Sequence, residues 1–221
     1  MTESTQSATA AFAVIPAIKR IQWLTAAWMT IEILVALFAA VRSRSVALAA
    51  FGGDSAIEFF SATAVLWSFR TARARTEATA TKITGWLRVA LAVFIPCQSL
   101  YTLFGKGSKP QPSYLGIVLL VAAALVMPWL GHRKRQLAAA ANSASLLADA
   151  AQSSVCAYLS WIALAGLILN TVAHIPWADP VAALGLLPIV LREAKEALEG
   201  DTARLALKAL PQFRASRQFG W

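Results

Sequence analysis

The chain has 221 residues, 58% of them hydrophobic and 14% charged, with a mean hydropathy of +0.59. That is too apolar for an ordinary water-soluble domain. The net charge of +9 would suit a nucleic-acid partner if it were gathered on one soluble face, but its distribution along the chain excludes that reading and makes the basic charge a topology signal instead.

Windows of about 19 residues predict six membrane spans, at residues 22–40, 46–69, 83–104, 114–130, 146–172 and 178–190. Residues 1–20 are rich in Thr, Ser and Ala and lack the short apolar stretch and cleavage pattern of a secretory signal. They read as a cytoplasmic segment, followed by a six-helix transmembrane domain over 21–195 and a short cytoplasmic helix and tail over 196–221. The first span carries Glu32. A tight turn, Arg42-Ser43-Arg44-Ser45, leads into the second, which contains Gly52-Gly53-Asp54-Ser55-Ala56-Ile57-Glu58. The basic stretch 70–82 reads as helix extensions joined by a turn. The third span contains Pro96, which predicts a kink, and is followed by the strongest turn signal in the chain, Gly105-Lys106-Gly107-Ser108-Lys109-Pro110. The fourth span ends at Pro128 and the cluster Arg133-Lys134-Arg135. The fifth presents Asp149, Gln152, Ser153 and Cys156, and Asp179-Pro180 is suited to starting the sixth. Beyond it, residues 192–208 read as a charged helix.

With the N-terminus inside, fifteen of the 20 Lys and Arg fall on inner segments, four (Arg42, Arg44, Lys106, Lys109) on outer loops, and Arg88 within a span. This asymmetry predicts that both termini are cytoplasmic. Of the two cysteines, Cys97 reads as packing and Cys156 as a candidate ligand, so no disulfide framework is expected.

The most informative feature is the pair Asp54 and Glu58. Spacing of i, i+4 puts both carboxylates on one helical face. An acid at the centre of a membrane helix costs roughly 3 kcal/mol or more, and a cation is the simplest compensation. On the fifth span Asp149, Gln152 and Cys156 lie at i, i+3 and i+7, which gathers a carboxylate, an amide and a thiol on one face. If the two faces meet, the donors are oxygen plus sulfur. Zinc accepts carboxylate and thiolate, softer cadmium tolerates the sulfur well, and magnesium and calcium prefer all-oxygen sites. Other readings stay open. Asp149 caps a helix near the inner interface, Gln152 bonds between helices, Cys156 is a small buried apolar residue, and Glu32 is a ligand, a relay or a structural group.

Asp54-Ser55-Ala56-Ile57-Glu58, Asp149-Ala150-Ala151-Gln152, Cys156-Ala157-Tyr158-Leu159-Ser160 and Trp177-Ala178-Asp179-Pro180 resemble the cation diffusion facilitator family, and within it the transmembrane protein 163-like branch of small bacterial cation transporters. The resemblance runs from Trp28 to Glu199. It implies an all-α, six-span helical bundle that exports divalent metal as a homodimer. Carried over residue by residue, Asp54 and Glu58 take the second-span metal positions, and Gln152 and Cys156 stand where the wider family has His and Asp. Too few residues follow the sixth span for the cytoplasmic metal-sensing domain common in the wider family.

The expectation is therefore an exporter in the bacterial inner membrane that moves Zn²⁺, with Cd²⁺ as a second substrate, in exchange for protons. It needs no organic cofactor and no nucleic acid. No Ser/His, His-rich or paired-Asp protease signature is present, so the chain does not read as an enzyme. The competing reading is a non-transporting membrane metal sensor or accessory subunit.

Overall fold

The computed structural model describes residues 3–71, 74–105, 107–141 and 144–199, with side chains over 16–60, 63, 83–105, 107–141 and 146–198. Among the described residues there are six helices and no strands: α1 (Glu3–Ser43), α2 (Val46–Thr71), α3 (Ala74–Leu103), α4 (Tyr114–Ala141), α5 (Ala144–Thr171) and α6 (Ala178–Glu199). The breaks fall at the turn signals. Arg44 and His174 adopt positive φ of 53° and 55°, and Gly105 adopts 73°, so these three connections reverse where the chain leaves right-handed helical space.

Helix starts at residues 46, 114 and 178 coincide with the expected spans. The far ends differ. α1 begins at Glu3, α4 continues through Pro128 to Ala141, and α6 runs on to Glu199. A hydropathy window registers only apolar depth, whereas Ala, Leu, Glu, Lys and Arg sustain helix on either side of it. Stretch 70–82 is helical on both sides of residues 72–73, as expected of two extensions. Of the expected tail 196–221, residues 196–199 belong to α6 and the rest lies outside the described residues.

Three connections lie together at one end of the bundle. Gln111 N–H donates to the Ser43 carbonyl at 2.7 Å. Asn170 Nδ2 donates to the Gln111 carbonyl at 3.3 Å, and Ser113 N–H donates to Thr171 Oγ1 at 3.2 Å. Ser45 caps α2 by accepting from Leu48 N–H at 3.1 Å, and its own hydroxyl donates to Asp179 Oδ1. Asp179 Oδ2 accepts from Val46 N–H at 2.8 Å. Asp179 thus starts α6 as the sequence suggests while its side chain fills the open N-terminus of α2.

α4 packs along α5 and α3 along α6, while α2 touches α1, α3, α5 and α6. Small residues make these approaches close. A Cβ on Gly52 would stand 2.9 Å from Ala36 Cβ, and one on Gly166 only 2.2 Å from Ala182 Cβ, so the α1–α2 and α5–α6 crossings need glycine. Large apolar side chains such as Leu34, Phe38, Val41, Val118, Leu125 and Val172 face outward. Exposed Trp23, Trp86 and Trp129 lie 15–20 residues, about 22–30 Å at 1.5 Å per residue, from the loop ends of their helices. Tyr101, Tyr114 and Trp177 are exposed at the loop end itself. Two aromatic levels about a hydrocarbon thickness apart suit the two interfaces of a bilayer. Four helical stretches, Pro16–Ser43, Ile83–Leu103, Tyr114–Ala141 and Leu146–Thr171, are long and apolar enough to cross a membrane. The fold is that of a membrane-embedded helical protein, and the two remaining helices, α2 and α6, bring acidic residues into its interior.

Candidate functional site

α2 descends from the loop end, and its one-turn repeat puts Asp54 and Glu58 on the face turned toward α3, α5 and α6. Both are buried, at 1% and 6% exposure. α6 contributes Glu193, also buried, because Glu193 falls on the same stripe as Ala183, Leu186, Val190 and Ala197, which packs inward. One ligand atom from each of Asp54, Glu58 and Glu193 lies within 4.8 Å of the other two. Three carboxylates this close repel one another unless a positive charge stands among them.

Arg88 on α3 supplies one such charge. Its Nε is 3.3 Å from Glu193 Oε2 and 3.7 Å from Asp54 Oδ1, and its Nη2 is 3.9 Å from Glu58 Oε1. These are ion pairs and not hydrogen bonds: among the described residues Arg88 Nε, Asp54 Oδ1 and Glu193 Oε2 have no hydrogen-bond partner. From α5 the Gln152 amide donates to Glu58 Oε1 in a short contact and to Glu193 Oε1 at 2.8 Å. With all groups ionised, three carboxylates and one guanidinium sum to −2, so Arg88 alone leaves the cluster short of positive charge.

A second polar layer lies one turn nearer the loop end. Glu32 on α1 is fully buried and its Oε1 accepts from Ser55 Oγ at 2.7 Å and from Cys156 Sγ at 3.4 Å. Glu32 Oε2 and the nearby Trp28 Nε1 have no hydrogen-bond partner among the described residues. Antiparallel α2 and α5 explain the layering: Glu58 meets Gln152, and one turn toward the loops Ser55 and Cys156 converge on Glu32.

Of the five residues expected from sequence, Asp54, Glu58 and Gln152 therefore come together, and Cys156 joins the adjoining layer. Asp149 is engaged elsewhere. It accepts from Lys134 Nζ and from Gln22 Nε2, each at 2.9 Å, and Lys134 also reaches Ser153 Oγ at 3.1 Å. That cluster ties α5 to α4 and α1. Cys97 is exposed on α3 and not packed inside, and both cysteines are free. Sequence reasoning missed Glu193 and Arg88. Glu193 sits in Arg192-Glu193-Ala194-Lys195-Glu196, which has the charge pattern of a solvated helix, although its place on the apolar stripe was a usable signal. Arg88 inside a span was itself a sign that buried carboxylates stand opposite.

Fold and site together define a membrane-embedded helical bundle with a buried, acid-rich centre between α2, α3, α5 and α6. No protein-family model matches this chain, and no curated protein matches it.

Proposed function

We propose that the chain is a six-span divalent-metal exporter that moves Zn²⁺, with Cd²⁺ as a second substrate, in exchange for protons. One observation carries the reading: the buried Asp54–Glu58–Glu193 triad, whose ligand atoms lie within 4.8 Å of one another. Three oxygens bound to one zinc at about 2.1 Å stand at most about 4.2 Å apart, so small carboxylate rotations suffice to close the triad on an ion. Gln152 can turn its amide oxygen inward as a neutral fourth donor. Cys156, one turn away, adds a softer donor that favours Cd²⁺ over Mg²⁺.

The site lies about mid-depth: Asp54 and Glu58 are 8 and 12 residues into α2, about 12 and 18 Å along its axis. Helices that meet at such a depth around a polar centre fit alternating access, in which the site opens to one side at a time. Metal ligands must shed protons to bind, so carboxylates that are protonated on one side and metallated on the other couple the two fluxes. In this reading α2 and α6 complete six spans, and the loop end faces outward because the sequence assigns fifteen Lys and Arg to the expected inner segments against four to the expected outer ones. Both termini are then cytoplasmic, the membrane is the bacterial inner membrane, and the sequence resemblance to cation diffusion facilitators adds a homodimer.

A second reading draws on Arg88. A guanidinium already paired with all three acids suits an accessory subunit or sensor in which the cluster only joins helices. Zinc flux into sealed vesicles carrying the purified chain, driven by a pH difference, separates the two. Flux by the wild type that is lost in Glu58→Gln supports transport. Zinc binding without flux supports a sensor, and neither binding nor flux leaves only the joining role.

A further inference from the structure

We infer that Arg88 is a tethered counter-ion that occupies the acid cluster when no divalent cation is bound, and that loading requires its guanidinium to withdraw from the carboxylates. The inference rests on the cation-binding reading above and goes beyond it, since it names the group with which the metal competes. Arg88 reaches all three acids at 3.3–3.9 Å, so its charge stands beside the space a shared metal ion would fill. A divalent ion among those oxygens would face a fixed positive charge at close range in a medium that screens poorly.

The guanidinium is placed to leave. Its Nε has no hydrogen-bond partner among the described residues, and its contacts are longer than the 2.7–2.9 Å of a well-made charge-assisted hydrogen bond. A forked bidentate pair would lock it to one carboxylate, whereas a loose hold on three gives attraction without fixed geometry. Arg88 comes from α3 and the acids from α2 and α6, so its withdrawal also releases α3 from an ionic tie to both neighbours.

Selectivity follows. A monovalent ion brings no more charge than Arg88 already supplies and does not displace it. A divalent ion does, because it brings two positive charges to the same oxygens against the one that Arg88 holds there. Arg88 therefore acts as a charge filter that keeps sodium and potassium out of the acids, and it weakens the hold on the divalent ion enough for release.

The test uses the full chain, stripped of metal and reconstituted in nanodiscs. Zinc affinity is measured by calorimetry for the wild type, Arg88→Gln and Arg88→Lys, with and without 150 mM NaCl, taken as roughly physiological ionic strength. Arg88→Gln is expected to bind zinc at least about tenfold more tightly at low salt and to lose that gain to sodium competition. Arg88→Lys, which keeps a tethered cation, stays near the wild type. The metal-free Arg88→Gln protein melts at a lower temperature than the wild type. Arg88→Gln combined with Glu193→Gln, which removes one charge of each sign, recovers most of that loss. Unchanged or weaker zinc binding in Arg88→Gln, with the wild type binding zinc, overturns the competitor role while leaving the transporter reading intact. Zinc binding by neither form overturns both. Should Arg88→Gln fail to fold, the wild type decides: saturating zinc is expected to speed water exchange of the Arg88 Nε–H, followed by nitrogen NMR and assigned by its loss in Arg88→Lys. A signal indifferent to zinc overturns the inference.

Discussion

Asp179 and Asp54 are both almost wholly excluded from solvent, at 0% and 1% exposure, yet they are treated in opposite ways. Asp179 has a donor on each oxygen: the Ser45 hydroxyl on Oδ1, and the backbone N–H groups of Val46 and, at 3.5 Å, Ala47 on Oδ2. Asp54 Oδ1 has no hydrogen-bond partner among the described residues, and it stands beside Glu58 and Glu193 with Arg88 as the nearby cation. Burial is the same, so burial alone does not mark function. A carboxylate filled by fixed donors is a tie between two helices. One left open among other acids is a place where a cation gains most from entering. The Asp149–Lys134 pair, one acid to one base with Gln22 and Ser153 attached, belongs with Asp179. Glu32, with one oxygen filled and one open, stands between the two classes.

The strongest test of this contrast is neutralisation of an open acid. Asp54→Asn or Glu58→Gln is expected to reduce zinc flux into vesicles by more than about a hundredfold, since several kcal/mol of charge attraction is lost and each 1.4 kcal/mol is tenfold. The metal-free protein should melt no lower than the wild type, because a repelling charge has been removed. A loss of stability in these variants would place Asp54 with Asp179 and break the contrast.

The complementary change acts on the filled acid. Asp179→Ala leaves the first N–H groups of α2 without their partner in a buried setting, and by the usual cost of an unsatisfied buried group it should destabilise the fold by about 3 kcal/mol. Denaturation in detergent measures that loss. The fraction that remains folded should bind zinc within about twofold of the wild type.

Glu32→Gln sharpens the middle of the comparison. Its filled oxygen still accepts from Ser55 while the charge near Cys156 disappears, so zinc flux is expected to fall by about tenfold with little change in melting temperature, the size of one weakened charged interaction. A fall as large as that of Glu58→Gln would make Glu32 a member of the open cluster.

The smallest effect is expected at Cys156. Replacing it with Ser keeps size and polarity but removes the soft donor, and the preference for Cd²⁺ over Zn²⁺ in competition uptake should drop by about threefold, of the order set by ligand softness within an oxygen-rich site. An unchanged ratio would confine Cys156 to its contact with Glu32.

By itself the sequence determined the helical architecture and the acidic pair within the candidate site. The start of α2 at Val46, of α4 at Tyr114 and of α6 at Ala178 follow from apolar runs that begin just after Arg44-Ser45, Pro112-Ser113 and Pro176-Trp177, punctuation that acts over a few residues. Asp54 and Glu58 share a face because 3.6 residues complete a turn, and that too is local. Only the tertiary structure decided which faces meet. Glu193 joins Asp54 from 139 positions away and Arg88 joins from 34, Asp149 turns to Lys134 and Gln22 instead of the acids, and Asp179 caps a helix that began 133 residues earlier. The physical reason is that helical periodicity orders side chains around a single axis, whereas the approach of two axes is set by the whole packed surface. Here that surface includes the contact of Gly166 with Ala182, where one added methyl group would move α6, and Glu193 with it, away from α5.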